Sequence, residues 1–136
     1  MAPLERWHLG LVASAVAQQT LGGAGFKRLS GPGAMEGWGL GPDDLLAINP
    51  RLIMLRISGY GQTGPYRDKP GFGVVAEAMS GLRHLTAEPG RVPVRVGVSI
   101  GDTLASLHGV IGILMALHER EKSGQGQVID VALYEA

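Results

Sequence analysis

The segment from Asp102 to Lys122 constrains this chain more than any other. Leu104, Leu107, Val110, Ile111, Leu114 and Leu117 recur at spacings of three and four, the period of a helix that buries one face. Val110 to Leu117 is apolar nearly all round. That predicts a central helix with its large side chains inside. Glu119-Arg120-Glu121-Lys122 carries the helix end into water, and Ser123-Gly124-Gln125-Gly126 forms the exit.

Strands are expected on both sides of this helix in the sequence. Leu52 to Ile57 is a nearly continuous apolar run bounded by turn residues and reads as a buried strand, and Val128 to Leu133 reads as a second strand. Between them, Phe72 to Ser80 reads as a helix. Glu88-Pro89-Gly90-Arg91 reads as a turn, and Val92 to Ser99 as an extended stretch whose pairing Pro93 limits. Ahead of the first strand, Pro42-Asp43-Asp44 opens a short helix to Ile48, its acidic pair in the turn that the helix dipole favours. Asn49-Pro50 stops it. Leu21 to Gly41, rich in Gly and Pro, reads as connecting structure with at most one turn near Ala34 to Trp38. Leu4 to Thr20 reads as an alanine-rich helix rather than a secretory leader, since a single basic residue, Arg6, precedes the run Leu9 to Ala17 and His8 and Ser14 dilute it. The order strand, helix, loop, helix, strand predicts an α/β fold. There is no internal repeat.

At 136 residues the chain is long enough for one domain with a real core. Twelve basic residues balance twelve acidic ones, so no net field draws it to nucleic acid or to an anionic membrane. No apolar run approaches the roughly 20 residues of a membrane span. No cysteine is present, which removes disulfides, thiolate nucleophiles and cysteine metal sites and fits a cytoplasmic setting.

Three features could carry chemistry. Gly59-Tyr60-Gly61-Gln62-Thr63-Gly64 matches the dinucleotide fingerprint in letters, but Pro65 follows where a helix would have to start. These glycines are expected to let the backbone approach something closely, either a ligand or a neighbouring stretch of chain. His8, His84, His108 and His118 show no ligand spacing, so no metal site is expected. His108 reads as a core or interface histidine, and His118 as part of a solvated helix end. Asp130 reads as facing solvent or a loop. Asp102 follows the small, apolar approach Val96-Gly97-Val98-Ser99-Ile100-Gly101 and stands at the head of the long helix. It reads either as an N-cap that bonds the amides of Leu104 or Ala105, or as an ionised carboxylate open to a substrate beside Gly101.

Several segments together resemble one family. They are Pro32-Gly-Ala-Met-Glu-Gly-Trp-Gly-Leu-Gly41, Ile48-Asn-Pro-Arg-Leu-Ile53, Ile57-Ser-Gly-Tyr-Gly-Gln-Thr-Gly-Pro65, Ala76-Glu-Ala-Met-Ser-Gly81, Gly101-Asp102, Gly112-Ile-Leu-Met-Ala-Leu117 and Ser123-Gly-Gln-Gly-Gln127. In this order and at these spacings they are similar to family III CoA-transferases, the superfamily of formyl-CoA transferase, carnitine CoA-transferase and α-methylacyl-CoA racemase. The likeness runs over residues 32–136 and leaves 1–31 unmatched.

The resemblance implies a partial Rossmann-like layer with a long central helix. It implies an enzyme that moves CoA between an acyl-CoA and a small carboxylic acid, with coenzyme A as substrate and no tightly bound cofactor. Asp102 would be the nucleophile that passes through a mixed anhydride and an enzyme thioester. Pro70, Gly71, Phe72 and Gly73 would contact CoA. The racemase branch pairs the same aspartate with a His-Asp where this chain has Phe72-Gly73, so the racemase is the alternative and the transferase is preferred. Family members are longer, with a further Rossmann-like half and a later glycine-rich loop. The chain is therefore expected to be a fragment of a homodimeric protein, with apolar helix surface exposed, and an inactive piece is a third reading.

Overall fold

The computed structural model describes residues 32–136 in full and, ahead of them, the backbone of Leu11–Ser14. Three parallel strands form its sheet in the order β1-β2-β3: β1 Leu11–Ser14, β2 Ile53–Ser58 and β3 Val128–Ala132. Leu11 lies opposite Ile53 and Ser14 opposite Arg56. On the other edge, Met54 lies opposite Val128 and Ser58 opposite Ala132. Parallel neighbours need long crossovers. A 3-10 turn at Glu36–Trp38 and helix α1, Pro42–Ile48, lie between β1 and β2. Helices α2 (Gly73–Met79), α3 (Leu82–Leu85) and α4 (Ile100–Ser123) lie between β2 and β3.

The helix expected over Leu4 to Thr20 is corrected at Leu11–Ser14, which is a strand. Alanine gives this stretch helix propensity, but a short helix is marginal alone, and the apolar Leu-Val pair meets an open strand edge to hydrogen-bond. The rest of that expected helix lies outside the described residues.

The centre of the core is β2. With a strand on either side and cover on both faces, it reads as an apolar run rather than an alternation: Leu52, Ile53, Met54 and Leu55 are all buried. Alternation still sorts its two faces. Leu55 points at α4, while Arg56 points away and is buried, its guanidinium paired with Glu36 at 2.7 Å and 3.1 Å. At the end of α4, Gly124 takes the left-handed conformation that closes a helix, its N–H donating to the Arg120 carbonyl at 2.9 Å. The Gly126 N–H then donates to the Pro50 carbonyl at 2.7 Å. A Cβ on Gly126 would overlap the Leu52 carbonyl, so glycine is required to bring β3 beside β2.

The long helix forms as expected, but the other way round. Its buried residues are Gly101, Ala105, Gly109 and Ala116. Leu107, Val110, Ile111 and Leu114, expected inside, are exposed, as is Met115. The cause is close packing. A Cβ on Gly109 would stand 2.8 Å from Leu55 Cδ2, and one on Gly112 2.9 Å from Ile129 Cγ2. Small residues let the helix axis lie against the sheet, and the large side chains are turned outward. By length and composition α4 could also cross a bilayer, although no unbroken apolar run does. Here its small-residue face rests on β2 and β3 as a core helix does.

Candidate active site

Two helix heads meet beside the sheet. Phe72, in extended conformation, precedes α2, and Ser99 precedes α4; neither caps its helix with a side chain. The helices touch through glycine. A Cβ on Gly101 would lie 3.7 Å from Ala76 Cβ and 3.8 Å from the Gly73 Cα. Ala76 and Ala105 are buried beneath the crossing with Leu133.

Asp102 stands on this crossing, third in α4. The N-cap position, one of the two readings open for it, belongs to Ser99, because the helix starts two residues earlier. The Asp102 carboxylate reaches across to α2 instead. A Cβ on Gly73 would be 2.8 Å from Oδ2, 3.3 Å from Cγ and 3.4 Å from Oδ1. Asp102 is half-buried, and no hydrogen bond to its carboxylate forms among the described residues. In the first turn of a 24-residue helix, the dipole favours the negative charge. A half-buried carboxylate with free lone pairs can attack an electrophile.

The segment leading to it is built on glycine contacts. Gly59 and Gly71 pack backbone to backbone, a Cβ on Gly71 standing 2.6 Å from the Gly59 Cα and 3.0 Å from Tyr60 Cε2. The close approach expected of the Gly59 to Gly64 loop is thus to the chain's own Gly71. The loop opens no helix. It turns at Gly61 and Gly64, both with positive φ. It is tied to β3 by the Gln62 N–H, which donates to Asp130 Oδ2 at 2.7 Å; Asp130 thus faces a loop. Tyr60 lies against Tyr66 and Tyr134 at centroid distances of 5.5 Å and 5.8 Å. Of the four residues expected at CoA, Pro70 and Phe72 are exposed, Gly71 is partly covered and Gly73 is buried under Asp102.

A pair that sequence reading missed lies one turn further along α2. The Glu77 side chain is fully buried and takes a fork of hydrogen bonds from Arg95, Nη2 to Oε1 at 2.9 Å and Nε to Oε2 at 3.3 Å. The Arg95 hydrogen bonds hold the Glu77 carboxyl below its usual range against the opposing effect of burial. Glu77 in turn holds Arg95 charged, first by hydrogen bonding and then by its charge, with a smaller attraction from Asp102. The signal was in the sequence: Glu77 follows Gly73 by four, so it shares the inward face and needs a partner.

Among the described residues no cluster of histidines and carboxylates could hold a metal. His84, His108 and His118 are all exposed. His108 is not a core residue: its Nδ1 lies 2.9 Å from the Leu104 carbonyl of its own helix.

The sequence model of CoA-transferase family III matches residues 30–136. Succinyl-CoA–D-citramalate CoA-transferase of Chloroflexus aurantiacus is 59% identical over 104 residues, which are 76% of this chain and 26% of that protein. Formyl-CoA:oxalate CoA-transferase of Streptomyces avermitilis is 42% identical over 106 residues, 78% of this chain and 26% of its own length. The crystal structure of a CAIB/BAIF family protein from Brucella suis superposes with a TM-score of 0.73 at 42% identity, covering 76% of this chain and 27% of that one. The chain thus spans about a quarter of the length of the curated relatives it matches.

Proposed function

Because the chain belongs to CoA-transferase family III, we propose that it carries the nucleophile-bearing part of an enzyme that moves CoA between an acyl-CoA and a carboxylic acid, with Asp102 as the nucleophile. The observation that carries this reading is the Asp102 carboxylate, half-buried at the head of α4 and lying over Gly73 without a hydrogen-bond partner among the described residues. Relatives with 40–59% identity are named as CoA-transferases that pair succinyl-CoA, formyl-CoA or acetyl-CoA with acids such as citramalate, malate and oxalate. Acyl-CoA and carboxylate are therefore the substrate class.

The chemistry balances without a proton source. An Asp102 oxygen attacks the thioester carbonyl, the C–S bond breaks, and CoA leaves as thiolate with a mixed anhydride on Asp102. The thiolate attacks the aspartyl carbonyl of that anhydride, releasing the donor carboxylate and leaving an enzyme–CoA thioester. The acceptor carboxylate then attacks the thioester and expels the thiolate. The thiolate takes the acceptor's acyl group and restores the Asp102 carboxylate. Splitting the exchange into such steps keeps the high energy of the thioester in covalent form throughout. Segment 70–73 ends in Gly73 under the carboxylate, which supports a role for it in holding CoA, with Phe72 presenting an exposed ring. The exposed apolar face of α4 fits a longer protein in which further chain or a second copy covers it. The absence of cysteine fits a cytoplasmic setting.

The test is mass spectrometry of the chain after incubation with succinyl-CoA. A gain equal to CoA less water, mapped to Asp102 and absent in Asp102→Asn, supports the proposal. Deuterium uptake at the α-carbon of a 2-methylacyl-CoA with no adduct would contradict it.

A further inference from the structure

We infer that Glu77 and Arg95 are a positioning pair that fixes the head of α4, and with it Asp102, against α2. The inference rests on the reading of Asp102 as nucleophile. The segment that delivers α4 is thinly held. Every residue from 92 to 99 is exposed, and none pairs with the sheet. Apart from its own turn at Val98 and Ile100 and the start of α4, its hydrogen bonds are few: Thr86 Oγ1 donates to the Val94 carbonyl at 2.9 Å, and Arg95 reaches Glu77. The Arg95 fork is therefore the charged anchor, five residues ahead of Ile100 and seven ahead of Asp102.

The other end of the anchor is buried. Glu77 sits in α2 one turn beyond Gly73, the residue that the Asp102 carboxylate lies over. Its side chain is entirely enclosed, so its oxygens cannot turn to water without opening the helix contact. One buried carboxylate thus ties the loop before Asp102 to the same helix that supports it. The planar fork uses both Nε and Nη2, a geometry that an ammonium cannot copy. With its charge matched by Glu77, Arg95 leaves Asp102 without a tight cation partner, as a nucleophile requires.

Adduct formation on Asp102 with succinyl-CoA separates the possibilities. Arg95→Ala, Arg95→Lys and Glu77→Gln should each slow the maximal rate roughly ten- to hundredfold, with an unchanged half-saturating concentration of succinyl-CoA. The Glu77→Gln/Arg95→Lys double variant should be no slower than the slower single, since the two side chains act as one unit. A rise in half-saturation with an unchanged maximal rate would overturn the inference and make Arg95 a direct substrate contact. Hydrogen–deuterium exchange reads the same anchor without substrate. Amides of residues 103–107, the first that are hydrogen-bonded in α4, should exchange several-fold faster in Arg95→Lys and Glu77→Gln, with those of β2 unchanged. If that exchange is unaltered in both, the inference fails. If wild type forms no adduct while the exchange changes as stated, the transferase reading fails and the positioning pair stands.

Discussion

A carboxylate oxygen 2.8 Å from where a Gly73 side chain would begin leaves no room for one. Gly73 is the first residue of α2, and its added methyl would meet only the movable end of Asp102, so Gly73→Ala should leave the thermal midpoint nearly unchanged. It should also push the Asp102 carboxylate out of place and cut the rate of adduct formation at least tenfold; a full rate in this variant would remove Gly73 from the site. Asp102 itself was visible in the sequence as a helix-head carboxylate, but its choice between cap and open carboxylate was not, since nothing in the letters tells N-cap from third helical position. A second residue-scale prediction concerns Glu36. Burial raises its pKa, but the Arg56 hydrogen bond and charge, with backbone help, hold it below the ordinary value. A depressed folded value gives stability that is present above the unfolded value and lost as pH falls through the folded one. Thermal midpoints measured downward from pH 7 should therefore fall below about pH 4.5, and Glu36→Gln should flatten that acid limb in part, with Glu77 supplying the remainder.

At the scale of elements, α1, β2, α2 and β3 were legible because each has local punctuation: Pro42 and Asn49-Pro50, the turn residues around 52–57, the glycines at 71 and 81, and Gly124 and Gly126. The orientation of α4 was not. Counting large apolar residues assumes that they seek the core, whereas this helix lies close on Leu55 and Ile129 through Gly109 and Gly112. Opposite outcomes for two substitutions check the assignment. Gly109→Val drives a branched side chain into Leu55 and should cost about 2 kcal/mol. Leu114→Lys, on a residue 61% exposed, should stay within about 0.5 kcal/mol in chemical denaturation. The reverse ranking would return the large residues to the core. β1 was hidden for a different reason: alanine-rich sequence favours helix locally, and the partner strand that overrides it comes some forty residues later.

For the molecule as a whole, the outward face of Leu107, Val110, Ile111, Leu114 and Met115 is the largest consequence of that packing. Contiguous exposed apolar surface of this kind marks a contact site. The chain should self-associate on gel filtration at micromolar concentration, and Leu107→Lys/Leu114→Lys together should shift it toward the monomer. A wild-type chain that elutes as a monomer at all concentrations would show that the face is tolerated in water.

The central claim is that Asp102 is a nucleophile towards acyl-CoA. Its most direct measurement is intact-mass analysis of the chain after brief exposure to succinyl-CoA and acid quench, followed by peptide mapping. A nucleophilic Asp102 should leave an added mass of CoA less water on the peptide containing it, removed by hydroxylamine and absent from Asp102→Asn. An unmodified Asp102, with the amides of α4 beyond its first turn protected from hydrogen exchange as in a folded chain, would contradict that claim.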